Sequence, residues 1–129
     1  MICLDSDCIM DYLNGYPAAK AIEMHHDRLV TTEINLFEVF RGIYSQKIIN
    51  RKEDELAQSF FRGIEILSTK PGWGLIAARL LSRLRKQGKE IEQTDCFIAA
   101  IMQIHGCNKI ITRNVKHYSL IPGIQVISY

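Results

Sequence analysis

Short, continuous apolar runs alternate along the chain with longer segments in which apolar residues recur every three or four positions. Continuous runs bounded by turn residues are typical of strands, and the longer period is typical of helices. Strands without polar alternation are those buried on both faces, as in a parallel sheet. The predicted strands are 2–5, 28–32, 64–67, 109–112 and 124–128, and the predicted helices are 7–13, 17–26, 33–45, 52–62, 75–87 and 94–106.

Residues that favour helix ends mark several of these boundaries. Asp7 is expected to cap the first helix, and Pro17 suits the first position of the second. Thr94 is expected to cap the last long helix, with Asp95 in its first turn and Gly106 past its end. Because strands and helices alternate throughout, the order predicts an α/β fold in which helices cover both faces of a parallel sheet.

Length and composition narrow the class of protein. The 129 residues fit a single domain spanning 1–129, and 47% hydrophobic residues allow a core without disulfides or a structural metal. The net charge of +2 argues neither for nor against nucleic-acid binding. No apolar run approaches the roughly 18 residues of a membrane helix, and early acids do not fit a signal peptide. We therefore expect a cytoplasmic protein with no membrane span.

The cysteines do not form a metal or redox motif. The sequence has no C-x-x-C pair and no histidine at zinc-finger spacing from a cysteine. Its four cysteines are Cys3, Cys8, Cys96 and Cys107. In the cytoplasm the expected state is a buried thiol, which behaves as a small apolar side chain. Spacing does not give distances, so a disulfide between two of them stays open.

Acidic residues stand where the predicted fold would bind a ligand. Asp5 ends the first predicted strand, and Asp95 begins the helix that leads to the fourth strand. Ligands of an open α/β sheet bind beyond the carboxyl ends of its strands. Glu38 shares a helix face with polar or small residues, so it is free to point toward Asp5. Converging carboxylates repel one another unless a cation neutralises them, and oxygen-only ligands suit Mg²⁺ or Mn²⁺.

Each of these acids also has an ordinary structural interpretation. Asp7 by itself fits a helix cap, and Asp95 fits a favourable charge in a first helical turn. Glu38 by itself fits a solvated helix residue. Spacing does not demonstrate convergence, so the residues alone leave both a metal site and a purely structural role open.

Four segments in order carry a resemblance to a known family. They are LDSDCIMDYL, with Asp5; TTEINLFEVFRGI, with Glu38 four residues before Gly42; GKEIEQTDCFIAAIMQIHGCNKIITRN, with Asp95 and Ile-Ala-Ala; and HYSLIPGIQVI. Over nearly its full length the chain resembles the PIN-domain family, most closely the VapC-type toxin ribonucleases of type II toxin–antitoxin pairs. The resemblance implies a three-layer α/β/α sandwich with a central five-stranded parallel sheet. It also implies hydrolysis of RNA with Mg²⁺ or Mn²⁺ held by Asp5, Glu38 and Asp95.

One position departs from the family pattern. The family usually carries a further acid after the fourth strand, where this chain has His117, while Asn114 is retained. Losing a carboxylate is expected to weaken a second metal position. As a ligand, His117 would suit Mn²⁺ better than Mg²⁺. It could instead contact a phosphate or lie in a surface loop, so the number of bound ions, one or two, stays open. Other residues expected beside the ligands are Thr112, Ser6 and Asp7, and those expected to contact RNA, or to balance the acids, are Arg41 and Arg113.

Other functions fit the sequence less well. An Asp-x-Asp after a strand also resembles haloacid-dehalogenase-type phosphatases, whose downstream lysine and acidic pair have no counterpart that we can place. A receiver domain would need an aspartate at the end of strand three, which reads EILSTK. The main alternative is a degenerate PIN domain that binds RNA or protein without cleavage. The resemblance further implies a homodimer and a small antitoxin protein that blocks the pocket.

Overall fold

The computed structural model describes residues 1–16, 18–25 and 27–129. Strands and helices alternate along it, as the sequence predicts. The strands are β1 (Ile2–Leu4), β2 (Leu29–Thr32), β3 (Glu65–Leu67), β4 (Lys109–Ile111) and β5 (Gln125–Ile127). The helices are α1 (Ser6–Leu13), α2 (Ala18–Glu23), α3 (Glu33–Tyr44), α4 (Arg51–Gly63), α5 (Trp73–Lys86), α6 (Gln93–Ile104) and α7 (Val115–Tyr118).

The strands form one five-stranded parallel sheet in the order β3-β2-β1-β4-β5. β1 lies at its centre and is buried on both faces. Its Cys3 belongs to the core that packs against α5 and α6, whereas Ile2 and Leu4 belong to the core against α1, α3 and α4. This alternation places helices on both faces of the sheet, and the predicted three-layer α/β/α fold is confirmed.

The strand order locates the expected ligand crevice. The chain moves from β1 outward to β2 and β3, and later returns to pair β4 on the other side of β1. Open parallel sheets bind ligands at such a switch point, beyond the carboxyl ends of the strands. Because Leu4 pairs with Ile111, Asp5 and Thr112 leave the sheet side by side at this point.

Some predicted helix boundaries are wrong by one or two residues. α1 begins at Ser6, so Asp5 occupies the cap position and Asp7 lies inside the first turn. α6 begins at Gln93 after Glu92, so Thr94 is not its cap. α5 begins at Trp73, whose ring packs edge-on against Phe97 with centroids 5.3 Å apart. The predicted ends of the second helix, Pro17 and His26, lie outside the described residues.

All four cysteines are buried free thiols, as predicted. Burial raises the pKa of Cys8 to about 12, so its thiol stays protonated at neutral pH. Within the described ranges, no helix has both the length and the apolar character needed to cross a membrane.

Candidate active site

Asp5 is the buried centre of a polar cluster at the carboxyl edge of β1 and β4. Only 6% of the Asp5 surface is exposed to solvent. Thr112 donates from Oγ1 to Asp5 Oδ2 at 2.7 Å. Asn35 donates from Nδ2 to Oδ1 at 3.0 Å, and the Tyr118 hydroxyl donates to the same oxygen at 3.3 Å. Donors from three separate segments therefore fix the orientation of this carboxylate.

Asn35 is held in place by the start of α3. Thr32 caps this helix, and its Oγ1 accepts from the Asn35 backbone N–H at 3.2 Å. The Thr32 hydroxyl and backbone N–H in turn donate to Asn35 Oδ1 at 2.7 and 3.3 Å. This reciprocal cap occupies the carbonyl end of the amide, so its NH₂ group points at the carboxyl edge of the sheet.

Glu38 joins the cluster through Ser6. Asn35 Nδ2 donates to Ser6 Oγ at 3.0 Å, and Ser6 Oγ donates to Glu38 Oε1 at 2.7 Å. Asn35 and Glu38 are three residues apart in α3 and share one helix face, as expected from the helical repeat. Asp5 and Glu38 are therefore connected through two polar side chains, with Glu38 half-buried at the outer end.

Asp95 reaches the same edge from the first turn of α6. Its Oδ2 lies 2.9 Å from His117 Nδ1 and accepts from Asn114 Nδ2 at 3.2 Å. Asn114 Nδ2 is also 3.0 Å from His117 Nδ1. The asparagine and the histidine thus meet at a single carboxylate oxygen.

Thr112 and Asp7 connect β4 with α1. The Thr112 hydroxyl, which donates to Asp5, accepts from the Asn114 backbone N–H at 2.9 Å. Asp7 Oδ2 accepts from the Arg113 backbone N–H at 3.1 Å. Asp7 therefore fixes the turn after β4, which carries Asn114 toward Asp95.

The carboxylates of the cluster disfavour one another's charge. Burial and then the charge of Asp7 raise the pKa of Asp5 from 3.8 to about 7, against the opposing hydrogen bond from Thr112. Burial likewise raises the pKa of Glu38, although the Ser6 hydrogen bond opposes it and the charge of Asp95 adds to it. Burial also raises the pKa of Asp95, against its contact with His117. Positive charge at this edge would relieve all three groups.

The predicted ligands Asp5, Glu38 and Asp95 lie at one edge of the sheet, but their carboxylate oxygens do not converge on a single point. In the parts of the chain that the structure describes, no three His, Cys, Asp or Glu side chains converge closely enough to hold a metal ion together. The contacts observed are instead to Asn, Ser, Thr, Tyr and His side chains.

The arginines predicted to contact RNA have different surroundings. The Arg41 guanidinium lies over the Phe37 ring, 5.8 Å from its centroid, on the helix that carries Glu38. The exposed Arg113 side chain pairs with Asp11, with Nε 2.9 Å from Oδ2. Tyr129 donates its hydroxyl to the same Asp11 oxygen at 2.6 Å. The Arg113 side chain is thus already engaged, whereas Arg41 lies close enough to Glu38 for its charge to oppose the rise in the pKa of that carboxyl.

Three residues of this cluster were not predicted as part of the site: Asn35, Tyr118 and Glu92. Asn35 and Tyr118 are fully buried donors to Asp5. The exposed Glu92 lies close enough for its charge to raise the pKa of both Glu38 and Asp95. A polar residue three positions after Thr32 indicates a helix cap, but nothing local in the sequence links Asn35 or Tyr118 to Asp5.

Comparisons with known proteins agree with this architecture. The PIN domain family matches residues 2–120. The VapBC2 structure from Rickettsia felis, bound to a DNA fragment from its promoter, has a TM-score of 0.86 at 19% identity, covering 100% of this chain and 99% of that one. VapBC-1 from nontypeable Haemophilus influenzae has a TM-score of 0.81 at 23% identity, covering 99% and 98%. DNA-bound VapBC from Salmonella typhimurium has a TM-score of 0.82 at 19% identity, covering 98% and 96%.

The fold and the polar cluster at the sheet's switch point define an α/β domain with an acidic edge. The family match extends over most of the sequence, so the chain belongs to the PIN-domain family. The solved structures, at these identities, support the fold. A sequence comparison with curated proteins finds no significant match.

Proposed function

We propose that this protein is a metal-dependent endoribonuclease, and that it is the VapC-type toxin of a toxin–antitoxin pair. The observation that carries the proposal is the hydrogen-bonded path from Asp5 through Asn35 and Ser6 to Glu38, at the edge that Asp95 also reaches. Functional sites typically contain carboxylates whose pKa is raised by burial and by the charge of neighbouring acids. Membership of the PIN-domain family, which is typically a family of nucleases, supports this reaction class. Such an enzyme would act in the cytoplasm, where its RNA lies.

The donor set fits a hard divalent cation. Asp5, Glu38 and Asp95 offer carboxylate oxygens, and burial together with the charge of neighbouring acids raises the pKa of each. We propose that these three residues hold Mg²⁺ or Mn²⁺, with side-chain movements that bring their oxygens to one point and with water and RNA phosphate completing the coordination. When bound, such an ion activates water and stabilises the leaving oxygen of a phosphodiester.

The other residues of the cluster orient these ligands. Thr112, Asn35 and Tyr118 fix the Asp5 carboxylate, and Ser6 fixes one oxygen of Glu38. Restricting the ligands in this way lowers the cost of ordering them when an ion and a phosphate arrive. Arg41, beside Glu38, is placed to contact the RNA backbone.

The test is cleavage of a structured RNA by purified protein with Mg²⁺, with Mn²⁺ and with a chelator. We expect cleavage by the wild type with a metal ion, and its loss in Asp5→Asn and Glu38→Gln. Glu33→Gln, at an exposed position on the same helix, is the matched control and should cleave as the wild type does. Equal cleavage by Asp5→Asn and wild type would assign the activity to another site or to a contaminant.

One observation favours the alternative function, a PIN domain that binds RNA or protein without cutting it. His117 occupies the position where the family usually carries an additional acid, and it contacts Asp95 directly. A domain that only binds RNA would retain RNA in a filter-binding assay and leave it intact with either metal. The same preparation therefore separates the two functions.

An antitoxin partner and a homodimer are further parts of this proposal. The similar solved structures include VapBC complexes and a toxin–antitoxin complex. An apolar groove of about 490 Å³ lies between α1, α2 and α4, with Leu13, Ile22 and Phe60 among its lining residues. We expect the product of a neighbouring short reading frame to co-purify with this protein and to suppress cleavage. We expect a dimer mass at micromolar concentration, and a monomer would contradict that part.

A further inference from the structure

Basic residues are concentrated on α5. Between Glu65 and Glu90 the sequence contains six basic residues and no acid, and four of the six lie in this helix. They are Arg79, Arg83, Arg85 and Lys86. The whole chain has a net charge of only +2, so the residues outside α5 are together acidic. The small net charge therefore conceals a separation of charge between α5 and the rest of the protein.

Three of these cations form a row on the outer face of α5. The opposite side of the helix is buried against α6, with Leu80 and Leu84 in the core. Arg79, Arg83 and Lys86, termed the α5 row, follow one another at intervals of four and three residues and share the exposed side. Arg79 and Arg83 lie about 6 Å apart along the helix axis, which is comparable with the separation of successive phosphates in an RNA strand.

Small side chains lie beside the cations of the α5 row. Ala78 and Ser82 line, together with the row, an open depression of about 500 Å³. A strand can approach the helix closely over such residues, and the Ser82 hydroxyl can donate to a phosphate oxygen. Within the parts of the chain that the structure describes, the cations of the row form no ion pair. Their charges are therefore free to bind an anionic ligand.

The proposed reaction needs a cationic surface outside the candidate site. Asp5, Glu38 and Asp95 carry the same sign of charge as the phosphates of RNA, so they do not attract the strand. Electrostatic affinity for a nucleic acid comes from Lys and Arg side chains that neutralise phosphates. Arg113 is paired with Asp11, and the α5 row offers three cations without such partners.

The basic end of α5 adjoins the turn that carries Asp95. The connection from α5 to α6 covers only residues 87–92. Burial and then the charge of Asp95 raise the pKa of Cys96, and the charge of Arg85 opposes them. Arg85 therefore lies near the first turn of α6. A strand that occupies the acidic edge can continue from there onto the outer face of α5.

We propose that the α5 row binds phosphates of the RNA strand whose scissile bond lies at the acidic edge. The inference rests on the proposed function and adds a binding surface outside its site. A membrane surface fits less well, because an amphipathic helix enters a bilayer with its apolar face, and that face of α5 is buried against α6. The row contributes affinity without sequence preference, because phosphate contacts do not read bases.

The experiment measures RNA binding at several salt concentrations without cleavage. Protein carrying Asp5→Asn is titrated onto a fluorescent single-stranded RNA in the presence of a chelator, and fluorescence anisotropy gives the slope of log K against log salt. Each phosphate neutralised in a single strand contributes about 0.7 to this slope. In Arg79→Gln/Arg83→Gln/Lys86→Gln we therefore expect the slope to fall by about two, and the affinity at physiological salt to fall about tenfold or more.

Two control proteins separate a local contact from changes in net charge and in packing. Arg51→Gln/Lys52→Gln/Arg62→Gln removes the same charge from exposed positions of α4 and should leave the slope unchanged. Arg79→Lys/Arg83→Lys keeps the charge of the α5 row and should keep most of the slope. Glutamine resembles arginine and lysine in helix propensity, so α5 should stay helical, which circular dichroism establishes for each variant.

An unchanged slope in the folded α5 variant, or an equal fall in the α4 variant, would overturn the inference. Unchanged RNA binding together with loss of the co-purifying antitoxin would also overturn it, because the row would then bind an acidic protein. Failure of the proposed function is distinguishable, since it would show as RNA left uncut by a wild type whose binding still depends on the row. In a protein that cleaves, neutralising the row should raise KM and leave kcat unchanged.

Discussion

Asn35 Nδ2 donates a hydrogen bond to Asp5 Oδ1 at 3.0 Å from a position that is completely buried. The same nitrogen donates to Ser6 Oγ, which in turn donates to Glu38. One amide group thus positions acids from the end of β1 and from the middle of α3. It does so because the cap at Thr32 occupies its other end, so that helix formation and ligand orientation depend on the same side chain.

Replacing this amide should therefore destabilise the fold. Asn35→Ala removes the cap interaction and a donor to a buried carboxylate, and we expect the free energy of unfolding to fall by about 1–3 kcal/mol. Chemical denaturation monitored by circular dichroism measures this change. Asn50→Ala removes the exposed cap of α4, so it should cost about 1 kcal/mol without affecting Asp5. A loss below about 0.5 kcal/mol in Asn35→Ala would contradict this role for Asn35.

Protonation of Asp5 should make the metal-free protein more stable in mild acid. Its pKa is about 7 in the native state against 3.8 ordinarily, so the native protein binds a proton that the unfolded chain releases between these values. This contribution is fully present below about pH 3.8 and is lost as the pH rises through about 7. The free energy of unfolding should therefore be higher at pH 5 than at pH 8.

Asp5→Asn should flatten this pH dependence without abolishing it, because burial also raises the pKa of Glu38 and Asp95. Denaturant titrations of both proteins between pH 5 and pH 8, in the presence of a chelator, measure the difference. Identical pH profiles would show that Asp5 does not titrate in this range. A divalent ion that binds the native site should restore stability to the wild type at pH 8.

The buried strands and the acids at their ends could be predicted because each depends on neighbours in sequence. Apolar runs locate β1 and β4, and the parallel order then brings Asp5 to the edge that Asp95 reaches. Two of the donors, Asn35 and Tyr118, could not be predicted, because Asp5, which accepts from both, lies 30 and 113 residues away along the chain. Asp7 failed as a cap for a related reason, since its carboxylate binds the turn after β4 instead.

Glu38 should lower the stability of the metal-free protein. Its pKa is raised by burial and by the charge of Asp95, while the hydrogen bond from Ser6 offsets part of the effect. Glu38→Gln keeps the shape and an acceptor for Ser6, so we expect the free energy of unfolding at pH 8 to rise by roughly 0.5 kcal/mol. RNA cleavage should be lost in the same variant. Glu33→Gln should leave cleavage unchanged and should not raise the stability, because it removes a favourable charge from the first turn of α3. Destabilisation by Glu38→Gln would show that the carboxylate is structural.

Tyr118→Phe should isolate the contribution of a single hydroxyl. The ring is fully buried, and removing its oxygen leaves the packing intact while Asp5 loses one of three side-chain donors. We expect a loss of about 1 kcal/mol in the free energy of unfolding and a further rise in the pKa of Asp5. Denaturant titrations at several pH values report both. Tyr12→Phe, on a partly exposed ring, is the control and should leave the pH dependence unchanged.

Arg41 should contribute more to RNA binding than Arg113 does. Arg113 already pairs with Asp11. The Arg41 guanidinium packs on the Phe37 ring and, among the residues that the structure describes, forms no ion pair, so it can bind a phosphate. In an Asp5→Asn background that keeps RNA intact, Arg41→Gln should weaken binding and reduce the slope of log K against log salt by about one. Arg113→Gln should leave that slope nearly unchanged. Fluorescence anisotropy at several salt concentrations measures both, with Arg51→Gln as an exposed control on α4. Equal slopes for all three variants would place the RNA away from Arg41, and a larger effect of Arg113→Gln would mean that the pair with Asp11 opens when RNA binds.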